Sequence, residues 1–163
     1  MVADKIDVTL TVNGESHEVA VEPRELLSQT LRERLDCTEI NIGCESSICG
    51  ACTVRSDGKT LKSCTRLTAQ ADGAEIVTIA GLSEEGVLGE LQTAFTEEHA
   101  LQCGYCTPGM VMAVDEYLDT HENPSREEIR SDALQGNLCR CTGYENIVDA
   151  VEVAAEALDE SPQ

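Results

Sequence analysis

The chain opens in strict alternation. In IDVTLTV, Ile6, Val8, Leu10 and Val12 are separated by single polar residues, the period of a strand with one buried face. Asn13-Gly14 follows, a pair suited to the positive φ angles of a tight hairpin turn, and HEVAV then resumes the alternation. The period next becomes helical: Leu27, Leu31 and Leu35 in PRELLSQTLRERL recur every four residues, and Pro23 suits a first helical turn. ACTVR and TLKSC flank Ser56-Asp57-Gly58-Lys59 as a second hairpin, and EIVTI reads as a last strand. Together these predict a small α+β domain over residues 1–80.

GLSEEG at 81–86 reads as a linker, and 87–159 as a helical domain. Leu88, Leu91, Ala94 and Phe95 form one apolar face. Met110, Val114 and Leu118 form another, behind Thr107-Pro108 as N-cap and first turn. Ser125 and Glu128 have capping-box spacing ahead of Ile129, and Ile147, Val151, Ala154 and Leu158 line a final helix. Four helices with short connections predict an all-α four-helix bundle. The terminal DESPQ reads as frayed.

Composition narrows the function. One Phe and three Tyr leave the core to aliphatic residues, so two small domains would lean on crosslinks or cofactors. A net charge of −20 excludes nucleic-acid binding, which requires Lys and Arg to neutralise phosphate. Acidic residues spread along the whole chain suit high salt, where screening relieves self-repulsion. MVADKIDVTL lacks the basic start and apolar run of a signal peptide, and no apolar stretch reaches membrane-spanning length, so the cytoplasm is the expected compartment. An odd count of nine cysteines in a reducing compartment points to metal or redox chemistry instead of disulfides.

GCESSICGACTV carries Cys44, Cys49 and Cys52, and Cys64 follows with eleven residues between it and Cys52, from a neighbouring strand. This C-x4-C-x2-C…C spacing is that of plant-type ferredoxins, whose four thiolates hold a 2Fe-2S cluster. Gly43 and Gly50 let the loop bend sharply, and its free amides can donate to anionic sulfur. A zinc site prefers paired knuckles, whereas here the fourth cysteine stands alone. Cys37 has no place in this set and reads as a plain thiol at a helix end.

A second set comprises Cys103-x2-Cys106 in QCGYCTPGM and Cys139-x-Cys141 in GNLCRCTGYENI. Each pair precedes a helix start, with Thr142 and Glu145 in capping-box spacing at the second, so two helix N-termini point at four sulfurs. Gly104, Gly136 and Gly143 loosen the backbone, and Arg140 lies between two thiols. Spacing alone leaves an iron–sulfur cluster, zinc and thiol–disulfide chemistry open here. His17, His99 and His121 are scattered and form no readable site.

GCESSICGACTV, LQTAF, ALQCGYCTPGMVM and NPSREEIRSDALQGNLCRCTGYENIVDAV, in that order, resemble the small iron–sulfur subunit of the molybdenum hydroxylases. That family includes xanthine dehydrogenase, aldehyde oxidoreductase, nicotinate and isoquinoline dehydrogenases and aerobic carbon monoxide dehydrogenase. The resemblance implies an N-terminal β-grasp, plant-type ferredoxin-like domain and a C-terminal four-helix domain. It also implies two 2Fe-2S clusters, one on Cys44, Cys49, Cys52 and Cys64 and one on Cys103, Cys106, Cys139 and Cys141. Further implied are a large molybdopterin-binding partner beside the helical-domain cluster and a medium FAD-binding subunit toward the other. Gln102 and Cys141 would then contact the pterin, and electrons would pass singly from the molybdopterin site through this chain to FAD or another acceptor. Tyr105 stands where the family commonly has phenylalanine, and Cys37 is extra. A freestanding ferredoxin-type carrier is the rival reading, against which the helical half counts.

Overall fold

The computed structural model describes residues 4–83 and 88–160. The opening alternation becomes β1 (Ile6–Val12), which buries Val8, Leu10 and Val12, paired antiparallel with β2 (Glu15–Val21). Asn13 and Gly14 turn the corner at φ 50° and 84°, the left-handed pair that a two-residue hairpin requires. β3 (Thr53–Ser56) and β4 (Lys59–Lys62) form the second hairpin, and β5 (Glu75–Val77) joins the two hairpins. The sheet order is β2-β1-β5-β3-β4, with β5 parallel to β1 and antiparallel to β3.

Helix α1 (Leu27–Glu33) sets Leu27 and Leu31 into a core with Leu10, Val54 and Ile76. It begins four residues later than Pro23 suggests, because Gln29 Oε1 accepts the Leu26 N–H at 3.1 Å and caps the helix there. Leu35 falls beyond the helix but still packs on this core. The strand expected through EIVTI stops at Val77. Thr78 is drawn off by Asn13, which accepts its N–H at 2.9 Å, and caps a 3-10 turn at Ile79–Leu82. Gly81 and Leu82 of the expected linker finish that turn; 84–86, like 161–163 of DESPQ, lie outside the described residues.

The other half has its own core. Helix α2 (Glu90–Glu97) packs against α5 (Glu145–Glu160), with α3 (Thr107–Leu118) alongside. Phe95, Met110, Val114, Ile129, Ile147 and Val151 are fully enclosed. Ile79 and Leu82 pack on this cluster also. Two residues expected on apolar faces stay outside it, Leu88 at 58% and Leu158 at 47% exposure. The third expected helix is short. Ser125 and Glu128 form the anticipated capping box over α4 (Arg126–Glu128), which then widens into a π turn at Ile129–Ala133. The wide turn, closed by Leu134 N–H to Ile129 O at 3.0 Å, lets Ile129, Ala133 and Leu134 all face inward. No helix among the described residues is long and apolar enough to cross a membrane.

The halves meet where α3 crosses β3 and β4. Arg55 reaches Asp115 at 2.9 Å and Asp119 at 2.8 Å, and Glu116 accepts the Thr60 N–H at 3.0 Å. Gly109 on α3 admits a close approach: a Cβ there would stand 2.1 Å from the Gly50 carbonyl oxygen. Both cysteine loops lie at this junction.

Candidate metal centres

Cys44, Cys49 and Cys52 occupy the loop between α1 and β3. Glu45, Ser47 and Gly50 there adopt φ of 54°, 59° and 76°, and these reversals turn amides inward. The N–H groups of Ser46 and Cys49 lie 3.4 and 3.3 Å from Cys44 Sγ. Ser46, through its side chain, and these two amides lower the Cys44 thiol to about 6. Gly50 supplies bending as anticipated. Gly43 serves differently: a Cβ on it would press to 3.0 Å from Cys49 Sγ, so its value is room for a sulfur.

Cys64 sits in a 3-10 turn (Ser63–Thr65) just past β4 and not on a strand as expected. The β3–β4 register pairs Thr53 with Lys62, which puts Ser63 beside Cys52. Ser63 donates both its N–H, at 3.2 Å, and its hydroxyl, at 2.7 Å, to the Cys52 carbonyl. Cys64 is thereby carried to the loop. It and Cys52 are buried, and burial together with the neighbouring Cys52 thiol pushes Cys64 up to about 11.

The second set assembles from two helix entries. Cys106 is the residue before α3, and Cys139 and Cys141 precede α5. Cys141 Sγ lies 3.6 Å from Cys103 Sγ. Burial and then Cys139 raise Cys106 to about 12. At Cys139 burial acts the same way, but it is outweighed by the Thr142 hydroxyl at 3.1 Å and amide at 3.4 Å, so this thiol falls below its ordinary value. The Thr142–Glu145 capping box is not formed. The helix starts only at Glu145, Thr142 donates to Cys139 and accepts the Tyr144 N–H at 3.1 Å, and Glu145 pairs with Arg126 at 2.6 Å and Arg130 at 2.5 Å.

The eight expected thiols thus form two separate groups, one deeper and one nearer solvent. Cys103, Cys141, Gln102 and Arg140 are exposed. No three Cys, His, Asp or Glu side chains among the described residues converge as ligands of a single ion. Two spread tetrads with inward amides and hydroxyls suit an anionic cluster that distributes four thiolates over two irons. Cys37 belongs to neither: it is half-buried on the sheet core, and burial, with Glu39 and Asp36, pushes it up to about 11. Tyr105 braces the loops, its hydroxyl donating to Ile42 O at 2.8 Å and its carbonyl accepting from Asn41 at 2.9 Å. The histidines stand apart, His121 stacked on Tyr117 with ring centroids 4.0 Å apart.

Two residues that the sequence pattern passed over lie between the groups. Asn137 is buried, and Lys62 donates to Thr53 Oγ1 at 2.7 Å and to Asn137 Oδ1 at 3.4 Å. The available signal was modest: Lys62 is one of only three lysines and lies two residues ahead of Cys64.

A family model described as a 2Fe-2S iron-sulfur cluster binding domain matches residues 10–78, and one described as a [2Fe-2S] binding domain matches residues 78–152. The nicotine 6-hydroxylase small subunit of Paenarthrobacter nicotinovorans is 48% identical, over 91% of this chain and 89% of its own length. The aldehyde oxidoreductase of Megalodesulfovibrio gigas is 43% identical over 94% of this chain, which corresponds to 17% of that longer protein. In the crystal structure of quinoline 2-oxidoreductase from Pseudomonas putida 86, one chain superposes with a TM-score of 0.91 at 43% identity, covering 96% of this chain and 98% of that one.

Proposed function

The chain belongs to the family of 2Fe-2S iron–sulfur subunits of the molybdenum hydroxylases, and from that premise we propose which of its residues hold the clusters and which face its partners. It is an electron-transfer subunit of an oxidoreductase complex, carrying two 2Fe-2S clusters. When bound, each cluster supplies a site that takes up and releases one electron at a time. Cys44, Cys49, Cys52 and Cys64 hold one, and Cys103, Cys106, Cys139 and Cys141 hold the other. The observation that carries this reading is that eight cysteines from separate loops fall into two groups at one junction, with hydrogen-bond donors to the sulfurs of Cys44 and Cys139.

The chain's own groups prepare charge and orientation. Inward amides of Ser46 and Cys49 and the Thr142 hydroxyl offset thiolate charge. The exposed edge at Gln102, Cys103 and Cys141 faces a large molybdopterin-binding subunit, with Gln102 and Cys141 against the pterin. That the aldehyde oxidoreductase match spans a small share of a longer protein supports such a neighbour. The Cys44–Cys64 side faces a medium FAD-binding subunit or another acceptor. The finer fold reading is a β-grasp ferredoxin domain over 1–80, a linker at 81–86 and a four-helix domain over 87–159. The two hydrophobic cores support it. Residence in the cytoplasm accords with cysteines that are free thiols.

Metal and acid-labile sulfide analysis of the purified complex tests this. About four irons and four sulfides per copy of this chain are expected. Zinc without labile sulfide overturns the reading, and about two irons reduces the chain to a single-cluster carrier. Co-purification of a molybdenum-containing subunit tests the partner.

A further inference from the structure

Lysine is scarce in this acidic chain, and the three differ in setting. Lys5 is exposed, and Lys59 is largely exposed, 3.5 Å from Glu116. Lys62 is partly withdrawn from water, and among the described residues no carboxylate pairs with it. Its ammonium is fixed by two buried neutral acceptors, Thr53 Oγ1 at 2.7 Å and Asn137 Oδ1 at 3.4 Å. Thr53 is itself held, donating to the Gly50 carbonyl at 2.6 Å.

An ammonium partly withdrawn from water without a counter-ion carries a desolvation cost. In this chain the missing anion has an evident source. Thr53 directly follows Cys52, and Lys62 sits two residues before Cys64. Burial lowers the pKa of the ammonium, and the thiols of Cys52, Cys49 and Cys64, three of the four proposed ligands of one cluster, act on it in the opposite sense. Once those sulfurs are bound as thiolates, the cation has its partner.

We infer that Lys62 is a fixed cation that raises the reduction potential of the cluster held by Cys44, Cys49, Cys52 and Cys64; the inference rests on the cluster assignment proposed above. Reduction adds one negative charge to the cluster. A cation held near it stabilises the reduced form more than the oxidised form, and partial burial limits screening. Thr53 and Asn137 are positioning residues that aim the ammonium. The consequence is direction: electrons are favoured on the Cys44–Cys64 side over the Cys103–Cys141 side.

The test is an EPR-monitored redox titration of the purified complex with Lys62→Met, Lys62→Gln and Lys62→Arg. Met and Gln are expected to weaken the one-electron reduction equilibrium of this cluster about tenfold, a shift of about 59 mV to lower potential. The second cluster should move much less. Lys62→Arg should restore most of the wild-type value. Lys62→Gln, which can still hydrogen-bond Thr53, covers the case in which Lys62→Met does not fold. Fully loaded neutral variants with unmoved potentials would overturn the inference, as would equal shifts of both clusters or an Arg variant behaving like Met. A neutral variant that no longer loads iron while Arg does would likewise count against it, because Lys62 would then serve assembly. Wild-type protein lacking iron and sulfide would instead point to failure of the cluster assignment.

Discussion

The carbonyl oxygen of Cys49 accepts the backbone N–H of Leu138 at 2.8 Å. One bond thus joins the loop of the first cysteine group to the residue beside Cys139 in the second. Leu138 is 55% exposed, so this contact depends on backbone geometry more than on side-chain burial. Leu138→Pro removes the donor and restricts Asn137 as well. A loss of roughly 1–3 kcal/mol is expected, the cost of an unmade hydrogen bond. It should appear as a lower denaturation midpoint and faster amide exchange in residues 43–54. Unchanged exchange there would show that the two loops do not depend on this bond.

Gly109→Ala separates local from tertiary demands. In a helix interior, alanine is favoured over glycine by up to about 1 kcal/mol. Here its Cβ would stand 2.1 Å from Gly50 O and 3.0 Å from Ala51 backbone atoms. Destabilisation of about 1–3 kcal/mol is therefore expected, with Tm lower by about 2–4 °C per kcal/mol in thermal unfolding. A raised Tm would mean that α3 does not seat on this loop.

Among the described residues the hydrogen bond seen between two thiols, Cys141 to Cys103, lies within one group, so the losses of the two groups should be separable. Cys141→Ser is expected to remove one EPR signal and about half the iron while the other signal persists, and Cys64→Ser to do the converse. Loss of both signals from a folded Cys141→Ser chain would contradict two independent sites.

Acid should weaken the fold partly through Glu25. Arg34 donates to its carboxylate at 2.5 and 2.7 Å and Thr30 at 2.9 Å. Arg34 chiefly, with help from Thr30, holds the carboxyl below its usual 4.5. A carboxyl depressed on folding contributes stability that is present above the unfolded value and lost as pH falls through the folded one. Glu25→Gln should therefore lower Tm at neutral pH and converge with wild type in acid. A gap that persists unchanged below pH 3 would assign its effect to packing.

The net charge of −20 supports one further expectation. Repulsion among surface carboxylates destabilises the compact state and is relieved by screening. The melting temperature should rise from low to molar KCl. A flat or falling curve would separate the acidity from any adaptation to salt.

Local order made much of this molecule readable from the chain. Alternation in residues 6–12, the Asn13-Gly14 turn and the Ser125–Glu128 cap depend on neighbours a few residues apart, and they form as anticipated. The C-x4-C-x2-C…C spacing of the first cysteine set was also legible, because a metal cluster demands thiols at restricted spacings, whereas spacing alone left the chemistry of the second set open. Contacts between distant segments were not. Pro23 lost the helix start to the Gln29 cap. Thr142 left its expected box for the sulfur of Cys139. Glu45 and Ser47 hold left-handed angles that their residue types do not announce. Gly109 reads as an ordinary helical glycine until Gly50 is laid across it.

The sequence by itself determined the opening hairpin, the positions of the cysteines and the net acidity, since periodicity, spacing and charge are properties of the chain. Only the tertiary structure decided how the sets are joined, through Cys49 and Leu138, and where a partly buried ammonium came to rest between Thr53 and Asn137. Those outcomes follow from packing two cores against each other, which brings together residues far apart in the chain.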